Sequence, residues 1–176
     1  MADLILLMGP TGAGKSVQGD LLAEELGGVH LSSGELLRRD PKIAEMIADG
    51  KLAPAEQVER IVGEAVEAIP ADQPIIMDGV TRTMSNVRWL EKMLPQWNRR
   101  LTKVVLIELD LETSMHRLGL RGRADDAPAA VREKWEAYAD QTRPVIEYYE
   151  KQGLVQKIDG RGNVEEVQGL LKAALA

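Results

Sequence analysis

Cysteine is absent from this 176-residue chain, and histidine occurs only twice, as His30 and His116. The first absence excludes disulfides and thiolate zinc sites, and two isolated imidazoles do not make a histidine-based metal centre. Also missing is any apolar run approaching the ~18–20 residues that a membrane helix needs. The apolar run near the N-terminus is short and follows Asp3 rather than a basic region, so no export signal is expected. A cytoplasmic protein without a membrane partner is the expectation. Basic charge is scarce: 22 Lys and Arg against 28 Asp and Glu leave a net charge of −6, which works against nucleic acid as a partner. Yet Arg117, Arg121, Arg123, Arg132 and Arg143 fall close together. Arginine clustered in an acidic chain suggests a small anionic ligand there. With 44% hydrophobic residues, the chain reads as one ordered α/β domain.

What is present centres on Gly9–Ser16, which reads G-x-x-x-x-G-K-S. It follows the apolar run Leu4–Met8 and precedes a helical pattern, the context a phosphate-binding P-loop requires. Glycines let the backbone curl so that successive N–H groups face phosphate oxygens, and the helix N-terminus adds its positive dipole end. Lys15 is expected to reach the β- and γ-phosphates of a nucleoside triphosphate, and Ser16 to offer its hydroxyl to Mg²⁺.

The remainder alternates strand and helix. Strands are expected over residues 3–8, 29–31, 74–79, 104–109 and 155–158. Helices are expected over 15–26 with Gly27-Gly28 as the stop, 84–94, from Asp110 through Leu118, 128–152 with a bend near Pro144, and 164–175. Ser32-x-x-Glu35 reads as a capping box. Further helical stripes follow Pro41, stopping at Gly50, and start with Pro54 in a first turn. Residues 32–64 thus hold more short helices than one crossover requires. The implied architecture is a five-stranded parallel sheet with helices on both faces and a ligand at the carboxyl ends of the strands.

Asp78 ends a buried strand as a metal-holding acid would, placed to hold Mg²⁺ through water. Arg38, Arg82, Arg121 and Arg123 fall at strand ends or in the surplus helices. A P-loop needs one lysine and Mg²⁺ for its own triphosphate, so these arginines point to a second phosphate-bearing substrate. A phosphate acceptor is already an anion at neutral pH, so the chemistry needs positioning and charge neutralisation rather than a strong base.

In this order the segments resemble the adenylate kinase family of nucleoside monophosphate (NMP) kinases: Gly9–Gln18, His30–Arg38, Gly50–Pro54, Asp78–Thr83, Arg121–Asp126 and Thr142–Tyr149. The resemblance spans essentially the whole chain. It implies a P-loop NTPase fold with its core at 1–31, 65–119 and 129–176, an NMP-binding subdomain at about 32–64 and a short lid at about 120–128. The lid has no room for a zinc-bearing insertion. The resemblance also implies that Gly12, Ala13, Gly14, Lys15, Ser16 and Val17 cradle ATP, with Arg121 and the turn at Gly162 bracketing it. Ser33, Arg38, Lys51, Leu52 and Ala53 would line the NMP site above Gly79, Val80, Thr81 and Arg82. Arg123 and Lys134 would bridge the two phosphates, and Lys15, Arg82, Arg121 and Arg123 would carry catalysis with Mg²⁺. Most members are monomers.

Four departures qualify the resemblance. Ser16-Val17 replaces the usual Gly-Thr, Val80-Thr81 the usual Phe-Pro, and Lys134 an arginine. Asn86 stands where adenylate kinases carry glutamine and uridylate/cytidylate kinases carry asparagine. Ser33 points the other way, keeping a hydroxyl where pyrimidine kinases have alanine. The implied reaction is ATP + AMP ⇌ 2 ADP. A UMP/CMP kinase and a nucleotide-binding paralogue without transfer activity are the alternatives.

Overall fold

A computed structural model describes residues 1–48, 53–123 and 126–176. Gly50, Lys51, Leu52, Ala124 and Asp125 lie outside the described residues, so the expectations placed on them have no structural counterpart here. Five parallel strands, β1 (Ala2–Met8), β2 (Val29–Ser32), β3 (Ile75–Asp78), β4 (Arg99–Glu108) and β5 (Val155–Asp159), lie in the order β2-β3-β1-β4-β5. The unbroken apolar character of β1 follows from its central position, because both of its faces are covered. Leu4, Leu6 and Met8 join a core with Val62, Val87, Leu90 and Tyr149. Ile5 and Leu7 join another with Leu22, Ile107, Val167 and Leu171 on the opposite face.

The helices follow as α1 (Lys15–Leu26), α2 (Ser33–Arg38), α3 (Pro41–Ala48), α4 (Ala55–Glu67), α5 (Met84–Met93), α6 (Leu111–Arg121), α7 (Pro128–Ala137), α8 (Arg143–Lys151) and α9 (Val164–Leu175). α1 ends at Gly27, which takes the left-handed conformation, as its sequence predicts. Pro54 caps α4 from just outside rather than sitting in its first turn. From β1 the chain leaves to one side through β2 and β3 and returns on the other through β4 and β5. The carboxyl end of β1 is therefore the switch point of the sheet, where open α/β folds place their ligand. The P-loop sits there.

Two elements differ from expectation. β4 starts at Arg99, not at residue 104. The Arg99 guanidinium, 2% exposed, donates to the Pro70 carbonyl at 2.8 Å and to that of Gln73, so a charged residue extends the buried strand by fastening the loop before β3. The expected helix 128–152 is divided by a π-helical turn, Tyr138–Thr142, which delivers the chain to Pro144 in the first turn of α8. Proline has no N–H to return to the carbonyl four residues back, and its ring needs room there; the wider turn accommodates it.

Candidate active site

The loop after β1 can curl only because of its glycines. Gly9 has φ 147°, and a Cβ there would run into the carbonyl of Ile107 on β4. Gly14, at φ 84°, precedes α1 without any side-chain cap, so the first N–H groups of the helix face the loop uncapped. Lys15 Nζ donates to the carbonyls of Gly9 (2.9 Å) and Pro10 (2.8 Å), which hold the ammonium across the loop. Burial pushes its pKa down to about 8, with Arg82 and Arg121 adding to that push against the pull of Asp78.

Asp78, at the end of β3, is buried and fully engaged. Its Oδ2 accepts from Ser16 Oγ at 2.9 Å and lies 3.0 Å from His30 Nε2. Its Oδ1 accepts from Ser32 Oγ at 3.1 Å. The last contact corrects the expected capping box: Ser32 precedes α2 but makes no capping bond, because its hydroxyl is committed to the buried carboxylate in the neighbouring strand. Burial raises the Asp78 pKa, but the His30 hydrogen bond and the charges of Lys15 and His30 outweigh it and leave it lowered.

Beyond Asp78 the chain turns through Gly79, at φ 71°. A Cβ there would approach Ser33 Oγ to 2.6 Å and the Arg82 guanidinium to 3.1 Å, so glycine lets the turn lie against both. Arg82 Nε donates back to the Gly79 carbonyl at 3.1 Å. Burial lowers the Arg82 pKa, Asp78 opposes this and Arg38 adds to it. The Arg82 carbonyl accepts from Thr142 Oγ1 in the π-helical turn (3.2 Å). Thr83 and Asn86 then form a capping box at α5, which sequence reading missed because it sought Glu or Gln at the third helical position.

On the opposite wall, Arg121 grips Asp126 through Nε (2.8 Å) and Nη2 (2.5 Å), and Asp126 also accepts from the Arg123 N–H at 3.0 Å. Arg117, one helical turn before Arg121, donates to the carbonyls of Arg161 (3.1 Å) and Gly162 (3.0 Å). Its position was legible as part of the arginine cluster, but its role in fastening the Gly162 turn to the site needed the tertiary contact.

One cavity of about 500 Å³ gathers these residues. Gly12, Gly14, Lys15, Ser16, Val17, Arg38, Ala53, Asp78, Gly79, Val80, Thr81, Arg82, Asn86, Arg121, Arg123 and Lys134 all line it. Ala13, Ser33 and Gly162 do not. Ala13 is turned into the core, with its N–H on the Pro10 carbonyl at 3.3 Å. Ser33 is buried behind Gly79, and Gly162 is reached only through Arg117. Arg117 lines the cavity, in keeping with the arginine cluster, and Tyr138 and Gln141 line it without having been expected there.

Residues 7–154 match the adenylate kinase family model. The chain belongs to the adenylate kinase family. It is 35% identical over 184 residues to an adenylate kinase of Prochlorococcus marinus and 36% identical over 183 residues to one of a Synechococcus, with both chains fully covered in each case. It is 33% identical to an adenylate kinase of Thermus thermophilus, covering 97% of this chain and 96% of that one.

Within this adenylate kinase frame the unusual Val80 and Thr81 are both buried, so the turn they replace remains packed. The fit to Mg²⁺ rests on the donor set: Ser16 Oγ and the Asp78 carboxylate adjoin at 2.9 Å, both hard oxygens at the mouth of the loop. Among the described residues no group of three His, Cys, Asp or Glu side chains forms a metal cage. An ion held by Ser16 and Asp78 would take its remaining oxygens from nucleotide phosphates and water.

His30 gives this member a pH-dependent buttress. Both ring nitrogens face carboxylates, Asp78 at 3.0 Å and Asp20 at 2.7 Å, so both act as donors in the imidazolium form. Burial lowers the His30 pKa, but the two carboxylates outweigh it and the net shift is upward. The stabilisation is therefore complete below the unfolded value of about 6.5 and is lost as pH rises through the folded value. The urea midpoint is expected to fall as pH rises past about 6.5. His30→Leu should lose that slope and cost about 1–3 kcal/mol at pH 6, since Asp78 loses a buried donor. Parallel wild-type and variant midpoints at every pH would contradict this.

Proposed function

We propose that the protein transfers the γ-phosphoryl group of ATP to AMP, giving two ADP, and that the residues lining the cavity at the P-loop do so by positioning and charge neutralisation. The observation that carries this is the cavity's two-ended character. Lys15, Ser16 and Asp78 stand at the carboxyl ends of β1 and β3, Arg82 and Asn86 follow Gly79 while Arg38 ends α2, and Arg121 at the end of α6, Arg123 just after it and Lys134 on α7 complete the lining. The first group holds the donor's phosphates, the second the acceptor, and the third spans the reacting phosphates. Residues 32–64 act as the acceptor subdomain and 120–128 as a lid whose closure excludes water, so that ATP phosphorylates AMP instead of being hydrolysed.

The acceptor phosphate needs no base, so the arginines have two tasks, to hold it in line with the γ-phosphate and to neutralise the charge on the transferred group. Arg121 reaches this task preorganised by its fork onto Asp126. Mg²⁺, when bound through Ser16 and water on Asp78, supplies positive charge to the β- and γ-phosphate oxygens. The proposal includes a monomer acting in the cytoplasm, without nucleic-acid or membrane partners; the net charge of −6 disfavours polyanions, and no described helix is long and apolar enough to cross a membrane.

Asn86 motivates a second reading, a UMP/CMP kinase. An acceptor panel of AMP, UMP, CMP and GMP with ATP and Mg²⁺ decides between them. AMP is expected to be the best acceptor by at least about tenfold in kcat/KM. A poor AMP rate beside fast UMP or CMP turnover would replace the first reading with the second, and no transfer to any acceptor would refute both.

A further inference from the structure

The π-helical turn Tyr138–Thr142 does more than make room for Pro144. Tyr138, Gln141 and Thr142 all line the cavity, and Lys134, one turn before Tyr138, lines it too. Their spacing of i, i+4, i+7 and i+8 gathers the four on one stripe of the arm that runs from Pro128 towards α8. π-helical turns are rare and recur at functional sites. Within the stripe Thr142 is the buried member, 4% exposed.

A threonine inside a helix commonly returns its hydroxyl to a carbonyl one turn back. Thr142 sends its hydroxyl elsewhere. Oγ1 donates at 3.2 Å to the carbonyl of Arg82, 60 residues away in sequence. A hydroxyl has one proton, so this bond uses the whole of its donating capacity. The carbonyl it reaches shares a Cα with the Arg82 side chain. Fixing that carbonyl fixes the direction in which the side chain leaves the backbone. Further out, the same side chain is fixed by Nε on the Gly79 carbonyl at 3.1 Å. The next residue, Thr83, is bound into the cap of α5 through Asn86. Thr81, unlike a proline, leaves its own φ unfixed, so the turn from Gly79 to Arg82 depends on contacts from outside it.

We propose that Thr142 is a positioning residue for Arg82: its hydroxyl, aimed out of the π-helical turn, holds the Arg82 backbone so that the guanidinium meets the acceptor phosphate in line with the donor. Thr142 touches no reacting atom and acts through the arginine alone. Transfer between two bound phosphates depends on their alignment, so a small displacement of the arginine that holds one of them slows the reaction. Because Lys134 stands on the same stripe, the bond also ties the arm that carries Lys134 to the loop that carries Arg82. The inference rests on Arg82 serving the acceptor in the proposed function.

Thr142→Val keeps the branched shape and removes the hydroxyl. Its kcat/KM for AMP is expected to fall about three- to tenfold, the reach of one neutral hydrogen bond, with KM for ATP within about twofold of wild type. Thr142→Ser retains the hydroxyl and should recover the AMP value to within about twofold. Once the Arg82 side chain is gone, Thr142 has nothing left to position. In an Arg82→Ala background, therefore, Thr142→Val should change kcat/KM for AMP by less than about twofold. Thr142→Ala removes the same hydroxyl and is read identically if the valine variant does not fold. Undiminished use of AMP in the folded variant, a loss shared equally by ATP, or an equal fall in both backgrounds overturns the assignment of Thr142 and leaves the role of Arg82 standing. If Arg82→Ala itself uses AMP as well as wild type does, Arg82 does not serve the acceptor and this inference falls with that reading.

Discussion

Lys15→Met is expected to reduce kcat/KM for ATP by at least about 10²–10³-fold while the protein stays folded. The side chain is the only ammonium in the loop, and methionine matches its length without the charge. The fold should survive because the Lys15 cation is not a net prop for it. Burial already pushes the pKa to about 8, and although Asp78 attracts the charge, Arg82 and Arg121 repel it. Loss of the Asp78 attraction and relief of the repulsion offset each other, so the melting temperature should move by less than about 5 °C. The same lowered pKa predicts that wild-type kcat/KM for ATP declines above pH of about 8, since the neutral amine cannot hold phosphate. The KM for AMP at saturating ATP should be much less affected. Near-wild-type turnover by the variant would remove Lys15 from the donor site.

Arg82→Ala should strike the other substrate. A loss of about 10²–10³-fold in acceptor kcat/KM is expected, with KM for ATP within about threefold of wild type. Arg82 is half-buried near Asp78 and Arg38, so it supplies its charge in a setting where water screens less than at the surface. Its Nε also holds the Gly79 carbonyl, so alanine both removes a phosphate fork and releases the turn that carries it. Arg82→Lys separates the two effects, because it restores charge without the planar fork and should recover only a minor part of the loss. Initial rates over a grid of ATP and AMP concentrations read both constants at once. A variant that loses ATP affinity and keeps AMP affinity would reverse the assignment of the two ends of the cavity.

The outline of the fold was legible in the chain because its signals are local. The apolar runs at Leu4–Met8 and Ile75–Met77, the glycine stop at Gly27 and the cap at Asp110 each act through neighbours a few residues away, and all four reappear in place. The P-loop was legible for the same reason, since its conformation depends on its own glycines. Features depending on a partner distant in sequence were not. Nothing local marked Arg99, whose guanidinium fastens onto carbonyls of the loop before β3, some 26–30 residues away in sequence. Ser32 read as a helix cap, but parallel pairing of β2 with β3 sets it directly against Asp78, and a buried carboxylate takes the hydroxyl first.

By itself, then, the sequence determined that this is a five-stranded P-loop protein with a lysine–serine phosphate cradle and arginines at the strand ends, because backbone propensity and motif spacing are properties of contiguous residues. Only the tertiary structure decided how those residues are shared out. It turned Ala13 into the core, brought Arg117 onto the Gly162 turn, fixed Arg121 on Asp126 and committed the amide oxygen of Asn86 to Thr83. The physical reason is that a polar atom's function depends on which partner reaches it. Once Thr83 has taken the oxygen of Asn86, that oxygen serves as a helix cap and is no longer a free acceptor.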